Sequence, residues 1–377
     1  MDIGLSKEQI KMQDEVKAFV DSEVAPFADQ NDREEKIESA VIKKIADRGY
    51  LASMIPKEYG GMEMDMMTIG ILNEEFGRVC SSTKALLTVH GMVAIGILRW
   101  GTQEQKNYYL PKLARGEIIG AFGLSEPEVG SDAKSIQTTA IQDNKSYILN
   151  GKKRWITMGQ IADLFLVFAQ CNEKPTAFII ERNTPGFSTV PITGLMGARA
   201  SMLAELNMED CKIPQENMLG GIGWGLSHVC QSSLDYGRYT IAWGCVGLCQ
   251  ACLDASLQYA RKRKQFGTHI RSNQLIQKMI SEMVVNIKAA RLLCYNAAYL
   301  KETGNPDSIM ETWNAKYFAS ILANKVASDA IQIHGANGCH SNYPIERYYR
   351  DARINEIIEG TTQMHEVMIA INAFRSI

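Results

Sequence analysis

A single carboxylate near the C-terminus has the surroundings of a general base. Glu359 follows Ile357 and Ile358 and precedes Gly360 and Thr361. Apolar neighbours raise the pKa of a carboxyl group towards the range in which it accepts a proton near neutral pH. Gly360 carries no Cβ, so a ligand could approach the backbone closely there. Taken alone, Glu359 is better explained as a capping or ion-paired side chain of a helix that begins near Thr361.

Two stretches in the first half of the chain could contact a planar polar ring. Residues 121–132 combine small and hydroxyl-bearing side chains with Pro127, so their backbone N–H groups could bind a ring or a carbonyl. The segment Arg154-Trp155-Ile156-Thr157 puts an indole face next to a hydroxyl, which suits a stacked ring that also forms hydrogen bonds. By themselves, an ordinary loop and a packed strand tryptophan are the simpler explanations.

Three stretches of the second half suit a ligand with phosphates. Asp235-Tyr236-Gly237-Arg238 contains either an intrahelical ion pair or a contact to a polar ligand stem. The basic segment 261–267, followed by Gln274, suits a diphosphate because arginine donates two parallel hydrogen bonds, although charge runs more often lie in solvent at a helix end. The glycines of residues 332–338 either cap a helix or let a phosphate approach the backbone.

Familiar metal and dinucleotide motifs are not supported. Cys245, Cys249 and Cys252 have iron–sulfur spacing, but they occur in a helical pattern, where positions i, i+4 and i+7 share one core-facing side. The glycine-rich segment 220–225 does not follow a strand and does not fit G-x-G-x-x-G, so a Rossmann site is not indicated. The six histidines lack zinc-binding spacing, and we predict no metal site.

The composition is that of a globular protein with a large core. The 377 residues are 46% hydrophobic and 22% charged, and a net charge of −2 argues against a nucleic-acid partner. Nine scattered cysteines indicate free thiols in a reducing compartment. The N-terminal residues lack the pattern of a signal peptide and no apolar run reaches membrane-spanning length, so we expect a cytoplasmic protein without a membrane partner.

Hydrophobic periodicity divides the chain into three parts. We predict an N-terminal all-α domain over residues 1–117, a middle β domain over 118–225 and a C-terminal four-helix-bundle domain over 226–377. The fold class is therefore mixed α and β, and mostly α.

Local signals specify some of these elements. Ser6 and Thr102, each followed three residues later by glutamine, are predicted to begin helices with capping boxes. Residues 146–156 are predicted to form a hairpin with a type I′ turn at Asn150-Gly151.

The order of these motifs resembles the acyl-CoA dehydrogenase family over essentially the whole chain. The matching residues are Pro56-Lys57-Glu58-Tyr59-Gly60-Gly61, Tyr109-Leu110-Pro111-Lys112-Leu113-Ala114, the loop from Ser125-Glu126-Pro127 to Gly130-Ser131-Asp132, Arg263, Gln265-Phe266-Gly267, Gln274, Tyr349-Arg350-Asp351-Ala352 and Glu359-Gly360-Thr361. The resemblance implies an acyl-CoA dehydrogenase-like subunit that binds FAD, oxidises an acyl thioester at a CH–CH group, passes electrons to an acceptor such as an electron-transfer flavoprotein, and forms a homotetramer or dimer.

The resemblance also implies roles for individual residues, with Glu359 as the catalytic base. The residues implied to bind FAD are Phe122, Leu124, Ser125, Gly130, Ser131, Trp155, Ile156, Thr157, Arg263, Phe266, Gln274, Gln332, Ile333, His334, Gly335, Ala336, Thr361, Thr362 and Gln363. Of these, Arg263 and Gln274 would reach the FAD of a neighbouring subunit. The residues implied to contact the thioester are Ser131, Asp235, Tyr236, Gly237, Arg238 and Gly360.

The implied mechanism is abstraction of the α-proton by Glu359 with transfer of the β-hydride to flavin N5, while hydrogen bonds to the thioester carbonyl stabilise enolate-like charge. Some family members place the base immediately before the arginine that corresponds to Arg238, but Gly237 occupies that position here. Ile358 replaces a common aromatic residue, Ala336 a frequent glycine and Met158 a frequent asparagine. The wall of the acyl pocket and some FAD contacts therefore differ from the family pattern.

Two classes of thioester stay open. The segment 235–247 is similar to dehydrogenases of secondary-metabolite clusters, some of which act on acyl groups held by an acyl carrier protein, as in the making of hydroxymalonyl- or methoxymalonyl-type extender units. Coenzyme A and the carrier protein share phosphopantetheine, so the inner site would look alike. A flavin oxidase or monooxygenase on this fold is disfavoured by the retained Glu359, and a binding protein without activity would contain no flavin.

Overall fold

The structure is a computed structural model that describes residues 4–375, so the outer ends of the first and third predicted domains lie outside the described residues. Its N-terminal part is helical. The helices are α1 (Lys7–Glu23), α2 (Ala28–Glu34), α3 (Ser39–Asp47), α4 (Met66–Val79), α5 (Ser81–Trp100) and α6 (Gln103–Ala114). Ser6 and Thr102 accept the backbone N–H groups of Gln9 and Gln105, which confirms both capping boxes.

The middle part is one mixed sheet of eight strands. They are β1 (Gly120–Gly123), β2 (Thr139–Asp143), β3 (Ser146–Ile156), β4 (Leu164–Cys171), β5 (Lys174–Glu181), β6 (Phe187–Pro191), β7 (Ala204–Pro214) and β8 (Met218–Leu219). The order is β6-β7-β3-β2-β4-β5-β8, and β1 pairs with β4 in parallel. Both β4 and β5 are almost entirely buried, in agreement with their continuous apolar sequences.

The hairpin predicted at Asn150-Gly151 is wrong. Residues 146–156 form one strand, β3, which pairs with β2 on one side and β7 on the other. The turn lies earlier, at Asn144, whose φ of 54° is left-handed. Gly151 instead marks a register shift against β7, because glycine within a strand also permits a bulge.

The C-terminal part consists of long helices. A π-helix (Gly225–Cys230) leads into α7 (Gln231–Lys262), and a small hairpin, β9 (Lys264–Gln265) with β10 (Thr268–His269), follows it. The remaining helices are α8 (Gln274–Glu302), α9 (Ser308–His334), α10 (Ile345–Asn355) and α11 (Thr362–Arg375).

Helix α7 is the centre of the molecule and packs against α4, α5, α8 and α9. Small residues allow this close packing. A Cβ added to Gly247 would lie 1.9 Å from the carbonyl oxygen of Glu74 in α4, and one added to Gly77 would lie 2.4 Å from that of Gly244. The sequence Gly244-Cys245-Val246-Gly247 therefore brings two helix backbones into contact, as its glycines require.

Cys245, Cys249 and Cys252 lie in α7 and are buried, as predicted, and all nine cysteines are free. Two helices, α5 and Gly225–Lys262, are long and apolar enough to span a membrane by length and composition. The most apolar segment of α5 is 89% buried inside the protein, and that of Gly225–Lys262 is 78% buried. Core helices pass the same test of length and composition, so these two helices are weak evidence for a membrane span.

Candidate active site

Glu359 lies in a tight turn between α10 and α11. Its φ is 55°, and that of Gly360 is 97°. A left-handed conformation costs a residue with a Cβ roughly 1–2 kcal/mol, so other contacts must hold this turn in place. Backbone strain of this kind is concentrated at functional sites.

Two buried cations from separate helices hold the turn. Arg238 of α7 donates from Nε to the carbonyl oxygen of Glu359 at 3.0 Å. Lys316 of α9 donates from Nζ to the carbonyl oxygen of Gly360 at 2.8 Å. Both side chains are at most 5% exposed. The backbone of the predicted base is therefore fixed by α7 and α9, which belong to the rigid core of the protein.

The carboxylate of Glu359 has an unpaired oxygen. Its Oε2 is buried and has no hydrogen-bond partner among residues 4–375. Burial raises the pKa of Glu359 to about 7, and the positive charges of Arg238, Lys316 and Lys84 only partly oppose this effect. A carboxyl group with this pKa is ionised in about half of the molecules near neutral pH and can accept a proton.

Gly237 provides the space that this carboxylate occupies. A Cβ at Gly237 would lie 2.6 Å from Glu359 Oε2 and 3.0 Å from the sulfur of Met92. The resemblance implies that some family members carry the base at the position of Gly237. Here the side chain of Glu359, which follows Gly237 by 122 residues, occupies the space beside that position.

The segment 235–238 does not contain the intrahelical ion pair considered above. Asp235 forms its ion pair with Lys301 of α8, at 2.5 Å, and its second carboxylate oxygen is buried without a partner. Tyr236 is buried against Gly91 of α5, where a Cβ would lie 2.3 Å from its ring. The guanidinium of Arg238 stacks at 4.1 Å over Trp313, and its Nη1 has no hydrogen-bond partner among the described residues.

The two stretches that were predicted to contact a planar ring lie side by side. The backbone N–H of Arg154 donates to the carbonyl oxygen of Ser125 at 2.9 Å, which ties the end of β3 to the loop after β1. Trp155 is 50% exposed and has a left-handed φ of 65°. Leu124, Ser125 and Thr157 are partly exposed beside it, and Gly130 and Ser131 are exposed. This part of the site offers a half-exposed indole with hydroxyl and backbone groups around it, and the guanidinium of Arg154 lies 4.8 Å from the centre of its ring.

Five of the predicted FAD-binding residues are buried, and they are Phe122, Ile156, Ile333, His334 and Thr362. Phe122 packs on Phe168 at a centroid distance of 5.1 Å, and Ile156 is 2% exposed. His334 stacks on Tyr259, and Ile333 is 4% exposed. Because these side chains face the core, Phe122, Ile156, Ile333 and His334 offer a cofactor only their backbone groups.

The remaining predicted cofactor residues are mostly at the surface. Arg263 and Phe266, in and beside the β9–β10 hairpin, are exposed, as is Gln274, and Phe266 is 99% exposed. Gln332, Gly335 and Ala336 are exposed at the end of α9, and Gln363 is exposed on α11. Thr362 is buried and contacts Glu356, and the carbonyl oxygen of Thr361 bonds to His365. Exposure of the hairpin suits a contact with a second subunit.

Three buried lysines were missed by sequence reasoning. Lys316 holds the turn of Glu359, Lys84 adds charge near it, and Lys153 forms a buried ion pair with Glu126 at 2.7 Å. Two of them had a visible signal, since Lys84 and Lys316 interrupt the apolar faces of long helices. A lysine at such a position is rarely buried without a specific partner.

The residues fit a flavin. The exposed indole of Trp155 can cover one face of a planar ring, and the neighbouring loop supplies Ser125 and Ser131 as hydrogen-bonding groups. The exposed Arg263 and Gln274 can contact a diphosphate.

Sequence models of the acyl-CoA dehydrogenase N-terminal, middle and C-terminal domains match residues 6–117, 121–211 and 223–374. The chain is 39% identical to acryloyl-CoA reductase (NADH) of Anaerotignum propionicum, covering 98% of this chain and 95% of that protein. It is 37% identical to the short-chain specific acyl-CoA dehydrogenase of Clostridium acetobutylicum, with complete coverage of both. It is also 37% identical to glutaryl-CoA dehydrogenase of Desulfococcus multivorans, covering 99% and 98%.

Solved structures give the same result. A chain from a study of the electron-transferring flavoprotein of Acidaminococcus fermentans has a TM-score of 0.96, 38% identity and complete coverage of both chains. The prolyl acyl carrier protein oxidase AnaB has a TM-score of 0.94, 33% identity and coverage of 98% and 100%. FkbI, which serves the biosynthesis of a methoxymalonyl extender unit, has a TM-score of 0.88, 28% identity and coverage of 97% and 99%.

These matches extend over the whole described architecture, and they agree with a mostly helical fold around a small mixed sheet. The cofactor is FAD. The protein belongs to the acyl-CoA dehydrogenase family of flavoenzymes, and it is an oxidoreductase that acts on the CH–CH groups of acyl thioesters.

Proposed function

We propose that Glu359 is the base that removes the α-proton of the acyl thioester. Its unpaired, buried Oε2 is the observation that carries this assignment. A carboxylate oxygen that accepts no hydrogen bond from the described residues keeps its lone pairs for the substrate, and a pKa of about 7 matches the working range of a general base. Gly237 supports the same assignment, because a side chain at this position would occupy the space that the carboxylate of Glu359 fills.

The positions of Arg238 and Lys316 explain how the base is oriented. Each donates to a backbone carbonyl of the turn and not to the carboxylate itself. The turn is thus held without neutralising the base through a direct ion pair. Their charges, together with that of Lys84, still lower the pKa of Glu359 from the value that burial alone would give. We infer that both are positioning residues.

We propose that Trp155, Ser125, Ser131 and Thr157 line the flavin ring, and that Arg263, Phe266 and Gln274 contact the FAD of another subunit. FAD held by these residues would supply the acceptor for the hydride that leaves the β-carbon. Exposure of Trp155 and of the β9–β10 hairpin supports these roles. The chain's part is to hold the thioester between the ring and Glu359 and to exclude water around the base.

The test of the base is Glu359→Gln, which keeps the size of the side chain. We expect the variant to retain FAD, and its anaerobic flavin reduction by substrate to slow by about 10²- to 10⁴-fold, the usual contribution of a general base. Stopped-flow loss of flavin absorbance measures the rate. Glu366→Gln, at an exposed position of α11, is the matched control. Reduction of the Glu359→Gln flavin at the wild-type rate would remove Glu359 from the mechanism.

A second candidate is oxidation of an acyl group held by a carrier protein. The similarity to AnaB and FkbI favours it, since the first is named for an acyl carrier protein and the second for an extender unit of polyketide synthesis. Flavin reduction by the same acyl group on coenzyme A and on a carrier protein discriminates between the two. A carrier-protein enzyme reduces its flavin at least about tenfold faster with the second. Rapid reaction of the reduced flavin with O2 would instead indicate an oxidase.

We further propose a homo-oligomer and an electron-transfer flavoprotein as acceptor. Helix α8 exposes Val285, Leu292 and Tyr299 at intervals of seven residues, which leaves one apolar face open along the helix. A second copy of the chain could cover this face and bring its hairpin to the FAD of the first. A structural neighbour comes from a study of an electron-transferring flavoprotein, which supports an acceptor of this class.

A further inference from the structure

A bulge in β3 turns Trp155 towards solvent. Lys153 pairs with Leu206 of β7. The next pair, Ile156 with Ala204, lies three residues further along β3 but only two residues away along β7. The extra residue breaks the alternation of the strand, because Lys153 and Ile156 are both buried and Trp155 is half-exposed. Bulges next to active sites commonly re-aim a side chain in this way.

The bulge also brings the side chains of Arg154 and Trp155 together. Successive side chains of a regular strand point to opposite faces of the sheet. Here the guanidinium of Arg154 lies over the indole of Trp155, 4.8 Å from the centre of the ring. A cation in this position is attracted by the electrons of the ring face. Because the guanidinium occupies one face of the indole, a planar ligand must stack on the other face.

Arg154 has no anionic partner of its own. Its Nε is buried without a hydrogen-bond partner among residues 4–375, and none of their carboxylates forms an ion pair with it. Glu205, which lies opposite the bulge on β7, is instead 3.8 Å from the ammonium group of Lys152. The positive charge of Arg154 is therefore not neutralised locally, and the side chain is only partly exposed to water.

A positive charge held beside a flavin has a defined effect. The ring gains two electrons on reduction, so the reduced ring carries more negative charge than the oxidised ring. A nearby cation stabilises the reduced form more than the oxidised form, which raises the midpoint potential. The backbone of Arg154 is held in place as well, since its N–H donates to the carbonyl oxygen of Ser125 at 2.9 Å. The charge is thus fixed next to the loop that was proposed to line the ring.

We propose that Arg154 raises the midpoint potential of FAD by holding its guanidinium on the indole of Trp155. Arg154 acts across the indole and touches no reacting atom. The proposal rests on the proposed function, because it assumes that Trp155 covers the flavin ring. Its consequence is a flavin that takes electrons from the acyl thioester more readily, whether coenzyme A or a carrier protein holds the thioester.

The test is the midpoint potential of FAD-loaded variants, measured anaerobically against reference dyes. Arg154→Met keeps the length of the side chain and removes its charge. We expect the equilibrium constant for flavin reduction to fall by about tenfold, the size of one partly exposed charge interaction, which lowers the potential of a two-electron couple by about 30 mV. Arg154→Gln should have the same effect. Wild-type potentials in both variants would overturn the proposal.

Two further variants separate local charge from packing and from net charge. Arg154→Lys keeps the charge and should keep most of the wild-type potential. A fall as large as that of Arg154→Met would show that packing on the indole sets the potential, and the proposal would be wrong.

Lys212→Gln is the matched control, because it removes one exposed positive charge from the same sheet. Lys212 pairs with Ile148, which is six residues from Arg154, or about 20 Å along β3. The potential of Lys212→Gln should equal that of the wild type. A fall equal to that of Arg154→Met would make the effect one of net charge and would also overturn the proposal.

Trp155→Leu separates failure of this inference from failure of the proposed function. Loss of a stacked indole should change the visible absorption and the fluorescence of bound FAD. If both spectra match those of the wild type, the indole does not cover the ring, and the proposed flavin site is wrong together with this inference. If the spectra change but Arg154→Met keeps the wild-type potential, the flavin site stands and only the role of Arg154 is wrong.

Discussion

Glu126 and Glu359 are both carboxylates set near a buried lysine, and the protein treats them in opposite ways. Glu126 accepts hydrogen bonds from Lys153 Nζ at 2.7 Å, from the hydroxyl and N–H of Thr138, and from the N–H of Gln137. Burial alone would raise the pKa of Glu126, but the charge of Lys153 and these hydrogen bonds lower it. The result is an ion pair that connects β3 to the loop that carries Ser125 and that is present at neutral pH.

Glu359 has the same kind of neighbours without the bonds. Neither Glu359 Oε2 nor Lys84 Nζ has a hydrogen-bond partner among the described residues, and both atoms are buried from solvent. Burial dominates, so the pKa of Glu359 rises to about 7. The difference teaches that burial and a nearby lysine do not distinguish a structural carboxylate from a reactive one. The two kinds of carboxylate are distinguished by the hydrogen bonds that they already accept from the protein.

The largest effect on stability is expected from Glu126→Gln, which removes the structural carboxylate. The amide retains one acceptor, but Lys153 is left as a buried charge without a carboxylate, so we expect a loss of about 3–5 kcal/mol of stability. A fall in melting temperature and release of FAD would report it, because the Ser125 loop loses its anchor.

The double variant Glu126→Gln with Lys153→Met is the control. It removes both charges and should recover most of the melting temperature. Glu359→Gln should not lower the melting temperature at all, since Oε2 accepts no hydrogen bond. If Glu359→Gln proved as destabilising as Glu126→Gln, the contrast between a structural and a reactive carboxylate would be mistaken.

A smaller effect is expected from Gly237→Ala, which tests the space around the reactive carboxylate. The new Cβ would lie 2.6 Å from Glu359 Oε2, so the carboxylate must move. We expect flavin reduction to slow by about 10- to 100-fold with FAD retained, because misplacement of a reacting group by about 1 Å costs that much.

Gly96→Ala is the matched control on the neighbouring helix α5. Its Cβ would meet the side-chain Cδ2 of Leu166 at 3.0 Å, a terminal methyl that can shift, and it does not touch Glu359. Comparable rates for the two variants would show that Gly237 has no special relation to the base.

Local sequence signals predicted what depends on neighbours in the chain. The capping residues Ser6 and Thr102 and the buried strands β4 and β5 are set by adjacent residues, and the structure contains them. The turn predicted at Asn150-Gly151 was wrong because the outcome there depends on a distant strand. The two residues permit a turn, but pairing of β3 with β7 lets Gly151 form a bulge instead.

The environment of Glu359 could not be read locally. Its state depends on Arg238, Lys316 and Lys84, which precede it by 121, 43 and 275 residues and lie on three different helices. The apolar neighbours of Glu359 made a general base one of two interpretations, and the resemblance to a family decided in its favour. Neither gave a reason to single out Lys84 or Lys316. Sequence patterns show which residues can share a helix face, and they do not show which faces meet.

The smallest predicted effect is a difference in pH dependence between the two carboxylates. In the folded protein the pKa of Glu359 is about 7, above its ordinary value of 4.5, so the folded state binds a proton more tightly than the unfolded state. Wild-type stability should therefore fall relative to Glu359→Gln as pH rises from about 4.5 to 7, by about 1 kcal/mol per pH unit.

The pKa of Glu126 is lowered, so its contribution to stability is present above pH 4.5 and is lost as pH falls further. Melting temperatures of the wild type and both glutamine variants between about pH 2 and 8 measure the two slopes. The value of kcat/KM should rise with pH through about 7 as Glu359 loses its proton. Slopes of the same sign at both sites would show that the missing hydrogen bonds of Glu359 do not set its pKa.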